Sequence, residues 1–295
     1  HPALAAASAL IAALLIALPA RAGVIEEKGC EVHFSGPQRS SAERLARSFA
    51  DRRLASSKWL GLEMAGRPRL YLAEGLDEMR ERAGAGVPEW AIAVTRRDDV
   101  LVFRHDLLDT NPVNRTELVA AHEAVHQVLN HLGGPPMRRL PRWFEEGLCV
   151  HHAGIAYLQP DHSLQRIAAA GNLPTFAEAD EAFRASRRRA AIGYTLGHEV
   201  ILSIIDVHGD AALRNILQRF RSGETFDEAF FHATGERLSV FEARWRDEIT
   251  PAIPLLLYIV LENFELALLC FGALAVALGY LRWRFRRERS MRALG

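Results

Sequence analysis

Two histidines four positions apart, in His122-Glu123-Ala124-Val125-His126, constrain this chain more than any other feature. In an extended strand the two imidazoles would stand about 13 Å apart, whereas on an α-helix positions i and i+4 are neighbours on one face, about 5–6 Å apart. A helix therefore lets both rings reach one ion and sets Glu123 beside them, within reach of a water on that ion. The flanking residues predict such a helix over 114–132. Asn114 and Glu117 form a capping box, Leu118, Val119, Val125, Val128, Leu129 and Leu132 make an apolar stripe, and Gly133-Gly134-Pro135-Pro136 ends the segment.

Neutral imidazole nitrogen suits zinc, and a catalytic zinc site takes three protein ligands with the fourth position left to water. Fifteen residues after His126 begins the segment Pro141-Arg142-Trp143-Phe144-Glu145-Glu146-Gly147, which offers two carboxylates. Helix phase alone does not choose between Glu145 and Glu146. The competing reading is a buried helix whose histidines are simply hydrogen-bonded to their neighbours.

Leu118 to His126, followed by Leu140 to Leu148, resembles the peptidase MA-like domain of the gluzincin metallopeptidases. The likeness continues through Tyr194-Thr195-Leu196-Gly197-His198 to Thr234-Gly235-Glu236-Arg237-Leu238 and Phe241-Glu242-Ala243-Arg244-Trp245, and so covers roughly residues 110–250. It implies one zinc ion held by His122, His126 and the glutamate directly before the glycine, Glu146, with Glu123 as general base and a peptide or protein as substrate. It also implies that substrate lies along an edge strand near residues 90–104, and main-chain pairing with such an edge suits an extended peptide. One position departs from the pattern. Gluzincins often carry an acidic residue about one turn after the ligand glutamate, where this chain has Val150. A backbone carbonyl, Asp106 or Asp109 is then left to orient the ligand histidines. On the helix opening at Tyr194, Tyr194 and His198 share a face, and either can donate to an oxyanion opposite the metal; core packing is the competing role for both.

The ends of the chain hold its excess apolar content. Residues 3–18 and the small-residue exit Pro19-Ala20-Arg21-Ala22 have the form of a secretory signal with its basic n-region missing, cut after Ala22; an uncut N-terminal anchor is the alternative. Leu255 to Leu281 is almost uninterrupted apolar sequence, followed by Arg282-Trp283-Arg284-Phe285-Arg286-Arg287, which is the pattern of a transmembrane helix with a stop-transfer flank. The arginines predict a single-pass protein of the cell membrane with a basic cytoplasmic tail, 282–295, and an extracytoplasmic domain. Glu262, Asn263 and Glu265 are expected at the outer interface, where a carboxylate avoids the insertion penalty of about 2.5–3.5 kcal/mol at the bilayer centre.

The fold expected is α+β. Residues 23–251 form one domain, in which a small N-terminal mixed sheet within 23–110 packs on a mainly helical, gluzincin-like zinc metallopeptidase part within 111–251, and the transmembrane helix follows. Strands are predicted at 30–34, 69–73, 90–95 and 100–104, a capped helix from Ser40 to about Trp59, and a surface loop with a short helix over 171–191. The chain has 36 basic and 36 acidic residues, but six arginines lie after Leu281 and one in the signal, leaving 29 basic against 35 acidic residues before the tail. A mildly acidic domain makes nucleic acid an unsuitable partner, and the tail suits anionic lipid headgroups. Of the three cysteines, Cys270 lies in the membrane segment; Cys30 and Cys149 read as two separate buried thiols, with pairing as the alternative, and a complete ligand set makes Cys149 a packing residue.

These features predict a membrane-anchored zinc peptidase in which Glu123 takes the proton of a zinc-activated water. The alternative of a different class is a non-catalytic, membrane-anchored metal-binding domain that binds a protein partner. A hydrolase of non-peptide amides or esters shares every residue named.

Overall fold

A computed structural model of the chain describes residues 22–132, 140–158, 164–252 and 255–292. The expected signal, apart from Ala22, and the Gly133–Pro136 helix stop lie outside the described residues. The described part is mixed α+β and mostly helical, with a five-stranded sheet near the N-terminus. Its strands are β1 (Gly23–Glu27), β2 (Cys30–Phe34), β3 (Arg69–Ala73), β4 (Ala93–Thr95) and β5 (Val100–Arg104), in the order β1-β2-β3-β5-β4. The central pairs β2–β3 and β3–β5 are parallel, and the outer pairs β1–β2 and β4–β5 are antiparallel hairpins. Parallel neighbours need crossovers, which helices α1 (Arg39–Leu60) and α2 (Leu76–Ala83) supply.

The helices that follow are α3 (Thr116–Asn130), α4 (Arg142–Ala153), α5 (Leu164–Ala169), α6 (Phe176–Ala185), α7 (Arg187–His208), α8 (Asp210–Ser222), α9 (Phe226–Thr234), α10 (Leu238–Ile249), α11 (Leu255–Glu262) and α12 (Phe264–Arg292). They form two compact units, one from the described residues within 1–162 and 174–245, the other from those within 163–173 and 246–295.

In the first unit, the period-2 alternation of each strand sorts its side chains between two layers. Val32, Leu70, Leu72, Leu101 and Phe103 face a core shared with Leu45 and Phe49 of α1 and Val119, Ala120 and Ala124 of α3. The intervening Ala73 and Val102 face Met79 of α2. β4 is an edge strand, and its Thr95 is paired with Leu101, so the Thr95 side chain emerges on the α3 side.

Several local expectations are corrected. The helix expected to start with a cap at Ser40 is preceded by a box in which Ser35 and Gln38 cap a 3-10 turn that leads into α1 at Arg39. Asn114 and Glu117 do not cap α3; Asp109 does, accepting from the Thr116 N–H at 2.8 Å and the Thr116 hydroxyl at 2.9 Å. A carboxylate at a helix N-terminus meets both its unpaired N–H groups and its dipole. The loop expected over 171–191 is mostly helix, because Thr175 and Glu178 cap α6 and Ser186 caps α7 at its Arg189 N–H. The arginine triplet 187–189 is thus the first turn of α7.

In the second unit, α11 packs on α5 and runs into α12. The stretch expected as one helix is divided at Asn263, whose amide donates to the Ile259 carbonyl at 2.9 Å and competes there with its own N–H, 3.1 Å away. Among the described residues, two helices are long and apolar enough to cross a membrane: Arg187–His208, close to half buried in the protein core, and Phe264–Arg287, which is not buried.

Candidate functional site

α3 and α4 build the site. α3 is fixed by its Asp109 cap and by Gln127, which is fully buried and ties the helix to Arg53 of α1 (2.7 Å), the Ala65 carbonyl (3.0 Å) and Asp99 (3.1 Å). α4 is capped from α6, where Asp180 accepts the Trp143 N–H at 2.9 Å, and the Trp143 ring is held among Phe144, Phe176 and Phe226. Its back lies directly on α7. A Cβ added to Gly147 would fall 2.4 Å from the Gly197 carbonyl oxygen, and one added to Gly197 would fall 2.3 Å from the Trp143 carbonyl oxygen. Only two glycines allow the two backbones this approach.

With both helices so placed, His122, His126 and Glu146 converge. The two Nε2 atoms are 3.2 Å apart, and Oε2 of Glu146 lies 3.2 Å from that of His122 and 3.3 Å from that of His126. His122 and Glu146 are buried almost completely. Zinc bonds of about 2.0–2.1 Å in a tetrahedron put neighbouring donors about 3.3–3.4 Å apart, so this nearly equilateral triangle fits the group without movement. The other Glu146 oxygen, Oε1, takes a hydrogen bond from Arg142 Nη2 at 2.9 Å, while Oε2 is buried with no hydrogen-bond partner among the described residues. An orphaned carboxylate oxygen facing two imidazole nitrogens is what a cation would satisfy.

The partner of His126 is Glu145, whose Oε1 lies 2.8 Å from Nδ1. A carboxylate there holds the proton on Nδ1 and turns the Nε2 lone pair toward the triangle. The two glutamates that sequence left as alternatives therefore sit on opposite sides of one histidine. Asp106 and Asp109, the expected orienting residues, are used elsewhere: Asp106 pairs with Arg104 at 2.6 Å and Asp109 caps α3. Nδ1 of His122 is buried without a hydrogen-bond partner among the described residues, and its ring is held instead by Tyr157, stacked at 4.4 Å and 14°. Tyr157 belongs to a 3-10 turn just beyond α4, and no spacing rule marks it.

Glu123 is buried beside the triangle and accepts a 2.6 Å hydrogen bond from Oγ1 of Thr95 on the edge strand. Thr95 was not singled out in the sequence; the alternation of the β4–β5 hairpin is the one signal that could have placed it on this face. Tyr194 is edge-on to His122 with ring centroids 6.0 Å apart. His198, one turn further along α7, has His151 as its ring neighbour at 5.9 Å, and its buried Nδ1 has no hydrogen-bond partner among the described residues, Oε1 of Glu199 lying 4.0 Å away.

Burial pushes the Glu146 carboxyl up, but the His126 imidazole, His122 and the Arg142 guanidinium reverse this and hold it well below the usual carboxylate range. Burial likewise raises the Tyr157 and Tyr194 phenols, which stay protonated and able to donate. The thiol of Cys149 is pushed up to about 12 by burial. Cys149 also stands near the histidines: one donor atom from each of His122, His126 and Cys149 lies within 4.8 Å of the others. The tighter triangle with Glu146 decides which set can hold an ion without rearrangement.

Residues 69–251, more than half of the chain, match the family model described as the peptidase MA superfamily. No curated protein matches the chain.

Proposed function

Because the chain belongs to the peptidase MA superfamily, we propose that it is a membrane-anchored zinc peptidase in which His122, His126 and Glu146 hold the metal and Glu123 is the general base. The observation that carries this reading is the buried triangle of donor atoms with edges of 3.2–3.3 Å and an orphaned oxygen at one corner. Zinc in such a site supplies Lewis-acid polarisation of the scissile carbonyl and acidifies water. Glu123 accepts the proton of the attacking water and returns it to the leaving amine, with Thr95 fixing the carboxylate. Tyr194 is the donor we assign to the developing oxyanion, supported by its protonated phenol beside His122. His198 is assigned the same role at the second position on that helix face, the supporting feature being its buried Nδ1, which has no hydrogen-bond partner among the described residues.

The membrane part of the proposal rests on Phe264–Arg287, an apolar helix left unburied among the described residues, and on the arginines around its end. The proposed layout is a secretory signal over 1–22, the peptidase domain over 23–251 on the extracytoplasmic side, a span within 255–281 and a cytoplasmic tail over 282–295.

Metal analysis of the purified chain, together with cleavage of a broad peptide library by wild type and Glu123→Gln, tests the reading. The expected result is one zinc per chain in both and a loss of hydrolysis of about 10²- to 10⁴-fold in the variant. Undiminished cleavage by the variant removes Glu123 from its role. Zinc without cleavage in wild type favours the alternative, a non-catalytic anchored domain that binds a protein partner, for which the nearness of Cys149 to the histidines is the specific support.

A further inference from the structure

We propose that Cys149 is a fourth protein donor to the metal, giving the site a closed resting form held by His122, His126, Glu146 and the Cys149 thiolate. The proposal rests on the three-ligand reading above and adds one residue to it. Cys149 lies on α4 three positions beyond Glu146, so both side chains leave the helix on the face turned to α3. It is fully buried and free of any disulfide, and its sulfur is within 4.8 Å of a ring nitrogen of each ligand histidine.

The contrast with Cys30 is informative. That thiol is equally buried, but it lies in the apolar core with Val32, Leu45 and Phe49, and its polar neighbour is Arg53 at 4.0 Å. Cys149 instead stands by two imidazoles and lies one helical turn from Glu146, whose Oε2 is buried and has no hydrogen-bond partner among the described residues.

Zinc bonds are about 2.3 Å to sulfur and about 2.0–2.1 Å to nitrogen, which places sulfur and nitrogen on one tetrahedral ion about 3.5–3.6 Å apart. Relative to the ring nitrogens, within 4.8 Å of it, the sulfur therefore has at most roughly 1.3 Å to travel, a distance that its single side-chain torsion and a slight shift of α4 can cover. On ligation the S–H bond breaks, the proton leaves to solvent and the sulfur lone pair forms the fourth bond, with no change of oxidation state. Four protein donors leave no position for water, which is the arrangement of a structural zinc site. Three donors and an open position make a catalytic one. Exchange of Cys149 for water thus separates a latent from a competent form of the same centre.

Cobalt(II), a spectroscopic substitute for zinc, added to the metal-free full-length chain in detergent micelles tests this. The expected result is a near-ultraviolet thiolate-to-cobalt charge-transfer band in wild type that is lost in Cys149→Ser, while the visible cobalt bands persist and the metal is held more weakly. If Cys149→Ser fails to fold, the Cys30→Ser, Cys270→Ser double variant, which keeps Cys149 alone, carries the assignment by retaining the band. A band that survives in Cys149→Ser, or is lost in the double variant, overturns the proposal. Bound cobalt with no thiolate band in wild type also overturns it and leaves the three-ligand reading standing. Failure of wild type to take up cobalt overturns both.

Discussion

Nδ1 of His126 lies 2.8 Å from Oε1 of Glu145, so the residue just before the proposed ligand Glu146 holds the imidazole of another proposed ligand from behind. An orienting carboxylate of this kind typically governs metal affinity by about 10- to 100-fold. Glu145→Ala should weaken zinc binding by that amount, measured by competition with a chromophoric chelator. Glu145→Gln keeps an oxygen that can accept from Nδ1–H and should lose less. Equal affinities for wild type and the alanine variant would remove Glu145 from this role.

Thr95 reaches Glu123 from a different layer of the fold. Its 2.6 Å hydrogen bond fixes one carboxylate oxygen of the proposed base. A hydrogen bond to a charged group contributes about 1.5–3 kcal/mol, and each 1.36 kcal/mol on a barrier is tenfold in rate. Thr95→Val should therefore lower kcat by about tenfold or more, with zinc content unchanged and activity restored by Thr95→Ser. A loss of zinc in Thr95→Val would instead mean that the threonine acts on the metal ligands.

The crossing of α4 and α7 leaves no room for a side chain at either glycine. Gly197→Ala must push the Trp143 carbonyl away or shift a helix, and overpacking of this kind costs about 1–3 kcal/mol. Urea unfolding should show a lower midpoint with an unchanged slope. Because Glu146 sits beside the crossing, zinc affinity should fall in the same variant; an unchanged affinity would mean that the helix shift is absorbed away from the ligand.

A cluster around Trp59 predicts acid sensitivity. His152 is stacked on Trp59, with ring centroids 5.4 Å apart, and burial, with the Arg52 charge, lowers its pKa to about 4. The unfolded chain takes up this proton at its ordinary value of about 6.5, and the folded protein does so only near 4. The contribution of His152 to stability is therefore complete above pH 6.5 and is lost as pH falls from there to about 4. His152→Phe preserves the stack and removes the titration, so its stability should decline less than that of wild type across that window, by thermal unfolding with a chelator present. Parallel pH profiles for the two proteins would count against His152.

What could be read in the sequence is what repeats at short range. The His122–His126 spacing and the strands 30–34, 69–73 and 100–104 rest on local periodicity, and the folded chain has them. Ser186 signals the start of α7, but the three consecutive arginines that follow it have the composition of a solvated loop. The identities of the groups around the ligands lay beyond sequence for a different reason. Glu145 on His126, Tyr157 on His122 and Thr95 on Glu123 are contacts between separate elements, and each depends on how those elements dock.

The proposed metal ligands and the proposed base draw on the chain differently. His122, His126, Glu145 and Glu146 belong to two helices that are successive in the described chain, so the proposed metal-holding group lies within the 25 residues 122–146. Thr95 arrives from β4, whose register depends on β5 and through it on the whole parallel ladder. Assembly of the ion-binding half is thus a local event in the chain, while orientation of the base waits on long-range pairing of the sheet.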